Sequence, residues 1–130
     1  MKKFYPAIFE PEDIGYSIFI PDIPGCMTQG DSIEESLEMA QEAIGIMLED
    51  IPEEKYPIPS KPQDIKIEGN QFIMMVSFDS TAYKEKYDSV PVEKMVSIPH
   101  WLDVMATDQK LDLSLLFQNA LRKQLGLSPL

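Results

Sequence analysis

Alternation of apolar and polar positions organises the first thirty residues. "KFYPAIFEP" sets Phe4, Pro6 and Ile8 against Tyr5, Ala7 and Phe9. Both faces are apolar, which predicts a short strand covered on both sides. Pro6 has no N–H to donate, so the pattern predicts an edge strand. "EPEDIG" supplies turn chemistry, and "YSIFIPD" is the returning strand of a hairpin. "IPGCMTQGD" opens on a Pro-Gly turn and leaves room for one more short strand, Met27 to Gln29. Three strands therefore precede any helix.

The period then changes. Ser32 with Glu35 three residues on is a capping box, and Glu34 suits the positive end of a helix. Ile33, Leu37, Ala40, Ile44, Met47 and Ile51 step by alternating fours and threes, a stripe that can lie on a sheet. Glu35, Glu38, Glu42 and Glu49 fall off that stripe and are expected in solvent. The helix must stop near Pro52. Four prolines in "PEEKYPIPSKP" make a semi-extended connection able to cross from one end of a sheet to the other. "NQFIMMVSFD" is a fourth strand with Phe72, Met74, Val76 and Phe78 on one face, and "STAYKEKY" a short helix that ends in a turn at "DSVP". The first segment is thus βββαβ with a trailing helical turn.

Charge separates this segment from the rest of the chain. The 130 residues carry a formal net charge of -11. Residues 1–91 hold 18 acids against seven lysines, and residues 92–130 hold four acids against three lysines and Arg122. All of the excess lies in the first segment, which would repel nucleic acid and attract a basic partner. Lys2 and Lys3 are followed by too short an apolar run for a signal peptide, and no run approaches the roughly 18 residues of a membrane span. The expectation is a cytoplasmic protein without membrane contact. Cys26 is alone and the one histidine, His100, lies in the other segment, so a catalytic thiol lacks its base.

The string "YPAIFEPEDIGYSIFIPDIPGCMTQGDSIEESLEMAQEAI", and with it "PIPS", "AYKEKY" and "SIPHWLDVMA", resembles the HicB antitoxins of bacterial type II toxin–antitoxin systems. The resemblance covers nearly the whole chain. It implies a first domain with a partial ribonuclease H fold that has lost catalysis, a DNA-binding second module, and a small mRNA-cleaving toxin of HicA type as partner. A ribonuclease H site gathers several carboxylates on Mg²⁺. Here the predicted sheet strands carry acids only at their ends, Glu10 and Asp79. No enzyme, cofactor or metal site is expected. The toxin contacts are expected among the acids of the first hairpin and helix: Glu10, Glu12, Asp13, Asp22 and Glu38.

In the closing segment "VEKMVSIP" predicts one strand, "HWLDVMATDQ" a helix with Trp101, Leu102 and Met105 inward, and "DLSLLFQNALRKQLG" a second with Leu113, Leu116, Phe117, Ala120, Leu121 and Leu125 inward. Asp112 suits its N-cap and Gly126 its C′ position. A lone strand leaves its hydrogen bonds unmet, and about 40 residues make a poor core by themselves. Two copies pairing their strands antiparallel above four helices would form a ribbon-helix-helix dimer, whose ribbon fits the DNA major groove. Strand parity puts Val96, Ile98 and the stem of Lys94 inward, and Glu93, Met95 and Ser97 toward DNA. Val96, Ile98, Trp101, Leu116, Phe117 and Leu121 would carry dimerisation. Lys94 and Lys110 would meet phosphates, and the N–H groups around Leu113 and Ser114 an anion. Similar proteins carry basic and threonine residues where this chain has Glu93 and Met95, and a carboxylate facing DNA is repelled unless it accepts from cytosine.

The fold class expected is therefore α+β: a partial ribonuclease H-like βββαβ domain over residues 1–90 that neutralises the toxin, then a ribbon-helix-helix domain over 91–130. The function expected is an antitoxin that, as a homodimer, also binds an inverted-repeat operator to repress its own operon. Higher assembly with the toxin stays open. The competing reading is an acidic adaptor for a basic protein, with a module that dimerises and has no operator.

Overall fold

The two faces of β1 (Lys2–Pro11) meet different surroundings, and that difference builds the sheet. Tyr5, Ala7 and Phe9 are buried, whereas on the alternate face Phe4 and Glu10 are exposed, Ile8 is half-buried and Pro6 is buried. The computed structural model describes residues 2–130, in two compact units: one runs to Val90, the other from Pro91 to Leu130.

In the first unit β2 (Tyr16–Phe19), β3 (Met27–Gly30) and β4 (Phe72–Asp79) join β1 in one antiparallel sheet of order β3-β2-β1-β4. Thus β1 is central and not the edge strand that Pro6 predicts. β2 pairs only Ile8 to Pro11. At Pro6 the chain has β4 on one flank and no ladder on the other for a missing N–H to break. The loop after β2 folds on itself, with Ile20 N–H donating to the Cys26 carbonyl at 3.0 Å and Cys26 N–H to the Ile23 carbonyl at 3.0 Å. It thereby delivers Ile20, Ile23 and Cys26 to the core as an apolar plug.

α1 (Ile33–Leu48) begins as its capping residues predict. Ser32 Oγ accepts from Glu35 N–H at 3.1 Å, while Glu35 Oε1 accepts from Asp31 N–H at 3.4 Å, one residue before the usual reciprocal donor. Its buried line is Ser36, Ala40, Ile44 and Leu48. Met47 and Ile51, expected inward, are each 39% exposed, and Ile51 lies past the helix end. The i, i+4 rows of a helix are inclined to its axis, so a helix laid on a twisted sheet buries such a row sooner than an alternating seam. Ala40, Ile44 and Leu48 join Tyr5, Ala7, Phe9, Ile18, Val76 and Phe78 in the core.

The proline-rich connection carries two short 3-10 turns, Glu53–Lys55 and Pro62–Asp64. It is tied down at two points. Tyr5 OH donates to the Pro57 carbonyl at 2.8 Å, and Asp22 accepts from Ser60 N–H at 2.8 Å and from Ser60 Oγ at 2.5 Å. After β4, Asp79 caps α2 (Ser80–Tyr87) by accepting from Thr81 and Ala82 N–H at 2.9 and 3.3 Å. That cap explains one of the two strand-end carboxylates.

The second unit holds α3 (His100–Asp108) and α4 (Leu113–Gln124). Asp112 accepts from Leu115 N–H at 3.0 Å and so caps α4. α4 ends with Gly126 at φ 75°, Gly126 N–H bonding Lys123 and Leu127 N–H bonding Arg122, the paired bonds of a Schellman motif. The strand expected at "VEKMVSIP" is absent from the described chain: residues 88–99 lie in neither helix nor sheet. A strand exists by its ladder, and no segment of the described chain offers this one a partner. The side chains expected inward are also uncovered. Trp101, Leu102, Met105 and Leu125 are exposed, and Leu113, Leu116, Phe117 and Leu121 are between 43% and 50% exposed. Neither helix has a buried residue.

Candidate interaction surfaces

Although no ladder forms, alternation persists in the extended segment of the second unit. Lys94, Val96 and Ile98 line a groove of about 390 Å³ with Leu113, Ser114 and Phe117 of α4, while Met95 between them is fully exposed. Glu93 and Ser97 are also exposed. The groove's apolar lining is Val96, Ile98, Leu113 and Phe117. At its side stand Lys94 and the opening residues of α4, where backbone N–H groups are unsatisfied by the helix itself. Lys110 sits in the turn between the helices at φ 54°, a left-handed conformation unusual for a lysine.

In the first unit the candidate acids divide. Glu10 pairs across the ladder with Ser17, whose hydroxyl donates to Glu12 Oε1 at 2.9 Å, and Asp13 follows in the exposed turn. These three form one carboxylate cluster at the tip of the β1–β2 hairpin. Asp22 is taken up by Ser60 and holds the connection in place. Glu38 lies elsewhere, in a cleft of about 260 Å³ between α1, β4 and α2 that also holds Lys2, Gln41, Tyr83 and Lys86. Gln41 Nε2 reaches from α1 to the Ser77 carbonyl at 3.0 Å and so covers part of the outer edge of β4.

Burial pushes the Cys26 thiol up to about 11, so at neutral pH it is a packed thiol and not a nucleophile. Among the described residues no three or more His, Cys, Asp or Glu side chains gather to hold a metal ion, and no helix is long and apolar enough to cross a membrane. The sequence pattern predicts β1 covered on both sides, and the structure differs on one of them. On the sheet face away from α1 the apolar side chains Phe4, Phe19, Met27 and Met75 remain exposed. The doubly apolar β1 was the available signal for it.

A four-stranded antiparallel sheet backed by a helix, followed by a small two-helix unit, defines an α+β protein. The family profile described as the HicB-like antitoxin of bacterial toxin–antitoxin systems matches residues 5–120. The chain belongs to this family, whose members are antitoxins and not enzymes. A 14.9 kDa uncharacterised protein from the rep–hol intergenic region of Haemophilus phage HP1 is 28% identical over 104 residues, 76% of this chain and 78% of the relative. Antitoxin HicB 1 of Photorhabdus laumondii is 48% identical over 58 residues, 42% of this chain; the match spans only 37% of the Photorhabdus protein. A chain of the toxin–antitoxin complex from Streptococcus pneumoniae superposes with a TM-score of 0.59 at 27% identity, covering 95% of this chain and 99% of its own.

Proposed function

We propose that this antitoxin neutralises a small basic mRNA-cleaving toxin of HicA type with its first unit, a partial ribonuclease H fold, and that its second unit pairs with another copy as a ribbon-helix-helix module that binds an inverted-repeat operator. The observation that carries the second half is the uncovered groove of Lys94, Val96, Ile98, Leu113, Ser114 and Phe117 in a unit whose helices bury nothing. Capped helices with an apolar face and no core are stable only against a partner. A second Val92–Ile98 segment would supply the missing ladder and cover Trp101, Leu116, Phe117 and Leu121. Met95 and Ser97 would then point to base edges, Lys94 and Lys110 to phosphates, and the N–H groups near Leu113 and Ser114 to an anion.

For the first half, the excess of acids in residues 1–91 suits a basic partner, and the likeness to a chain of a toxin–antitoxin complex supports it. Glu10, Glu12, Asp13 and Glu38 are the acids we assign to steering, with Asp22 acting chiefly through the connection it holds. The site of action would be the cytoplasm, where toxin and operator are found. Glu93 favours a second reading, an acidic adaptor whose closing module dimerises without reading DNA, because an exposed carboxylate beside the ribbon repels phosphate.

Three measurements on the full chain test this. Sedimentation at micromolar concentration should find a dimer, and Val96→Asp, which places an unpaired charge in the groove, a monomer. A small basic toxin should be encoded immediately beside this chain, and cells expressing it should survive only with the antitoxin present; absence of such a gene favours the adaptor reading. A mobility shift at near-physiological salt should favour the native upstream region over scrambled DNA, with Ser97→Ala relaxing base preference and Lys94→Ala weakening all sequences. Equal binding to both DNAs, with and without the toxin, leaves the adaptor reading.

A further inference from the structure

We propose that the toxin docks on the sheet face turned away from α1, centred on Phe19 and Met27; this rests on the antitoxin reading above and names the surface that performs it. The registers build that surface. Ile73 pairs with Ile8, Ile8 with Phe19, and Phe19 with Met27, so one row of directly opposed apolar side chains crosses all four strands. Met75, opposite Pro6, and Phe4 extend it on the same face. Met27 is 68% exposed and Phe4 51%, while Ile8 and Ile73 are half-buried. Phe and Met are enriched at the centres of protein interfaces.

Charge selects the occupant. The next row of the same face is Glu10, Ser17 and Gln29, and Ser17 holds the Glu12 carboxylate beside it. An apolar centre with carboxylates on its margin fits a protein surface with an apolar centre and lysine or arginine around it. It does not fit a second copy of the same face, because two first segments, each with 18 acids against seven lysines, would bring like charges together as they closed. The outer surface of α1 is acidic as well, with Glu34, Glu35 and Glu38 exposed, and rim charges alone mostly set the association rate. Affinity needs a desolvated apolar centre, and this face supplies one.

The test uses the full chain and a basic HicA-type toxin, with inhibition of RNA cleavage as the readout. Phe19→Asp and Met27→Asp should each weaken inhibition about tenfold or more, the scale of losing one interface anchor. Ile46→Asp places the same charge at an exposed apolar position of α1 and should change inhibition less than about threefold, as expected outside an interface. Phe19→Ser, with a tyrosine circular-dichroism melt for each variant, separates lost docking from lost folding. If the unaltered chain inhibits but both aspartate variants inhibit as well, the docking face is wrong and the antitoxin reading stands. If the unaltered chain itself fails to inhibit, the antitoxin reading falls and takes this surface with it. Aspartate variants that change sedimentation of the free chain from a larger species to a dimer, and leave inhibition intact, would assign the face to a second copy and overturn the proposal.

Discussion

Gly30→Ala tests the joint on which the first unit turns from strand to helix. A Cβ built at Gly30 would lie 2.5 Å from Ser36 Oγ and 2.7 Å from both the Cα and the N of Ser36. Carbon atoms pack at about 3.5–4.0 Å, so the first turn of α1 would have to withdraw from β3 by roughly 1 Å. Such overpacking costs about 1–3 kcal/mol, offset by about 0.5–1 kcal/mol from the smaller backbone entropy loss of alanine in a strand. All three contacts are under 3.0 Å, two of them to backbone, so the cost lies at the upper end of that range. The net is about 1–2.5 kcal/mol of destabilisation, and at about 4–8 °C per kcal/mol for a domain of this size the melting temperature should drop by roughly 4–20 °C.

The same geometry makes Ser36→Ala informative. Ser36 is fully buried, and its hydroxyl is the one buried side-chain polar atom without a hydrogen-bond partner among the described residues. Removing it relieves a desolvation penalty of about 1–3 kcal/mol at the cost of a small cavity, so the variant should be neutral or more stable. It should not rescue Gly30→Ala, because two of the three close atoms belong to the Ser36 backbone. The assay is direct. All five tyrosines lie in the first unit and the only tryptophan in the second, so near-ultraviolet circular dichroism of tyrosine follows one and Trp101 fluorescence the other. A Gly30→Ala chain that melts within about 2 °C of the parent, against the scale of several degrees per kcal/mol, would refute the close approach. Complete rescue by Ser36→Ala would refute the backbone account.

Further predictions concern pH and the closing unit. Tyr5 is pushed up to about 12, first by burial and then by the charge of Asp22. Its unfolded form loses the proton near the usual value of about 10. The folded state thus holds a proton that the unfolded state has released, and stability should fall as pH rises from about 10 to about 12. Tyr5→Phe should flatten that alkaline loss in a urea titration while forfeiting the bond to Pro57, worth about 1 kcal/mol. Lys110→Gly should raise the Trp101 transition by up to about 1 kcal/mol, since a lysine in the left-handed region is strained. If Lys110 also meets a phosphate, the same variant should bind every DNA sequence more weakly, so a gain in stability with a loss of affinity is the signature to measure. Asp112→Ala should lower that transition by about 1 kcal/mol through loss of its cap.

The elements were legible where local chemistry decides them. Ser32, Asp112 and Gly126 announce helix ends by groups that bond within three or four residues, and all three act as their residue types suggest. The alternation in β4 correctly groups Val76 and Phe78 with the core. Where a second element decides, the pattern misleads. Pro6 alone argues for an edge, but the absence of a cost depends on where β2 stops, which no residue near Pro6 records. The choice of Leu48 over Met47 depends on how α1 crosses the sheet. For Asp22, sequence distance hid a contact: Asp22 and Ser60 are 38 positions apart, and their two bonds tie the connection down, a use of the residue that its charge did not announce.

Uncovered apolar side chains in the two units carry different physical meaning, and the difference lies in what remains when they are ignored. The first unit keeps Tyr5, Phe9, Ile18, Ile44 and Leu48 fully or almost fully buried whether or not anything meets Phe19 and Met27. Its exposed row can therefore be bound and released without unfolding, as an inhibitor's docking face must be. The second unit keeps nothing buried in either helix, so under the proposed pairing the exposed leucines there would be a core completed by a second copy. Burying a leucine contributes about 1.5–3 kcal/mol, and four of them on α4 alone exceed what two short capped helices can supply from propensity. On the proposed reading, docking at the first unit would be an equilibrium between folded proteins, whereas pairing at the second would be part of folding itself. Dilution should melt the Trp101 signal well before it disturbs the tyrosines.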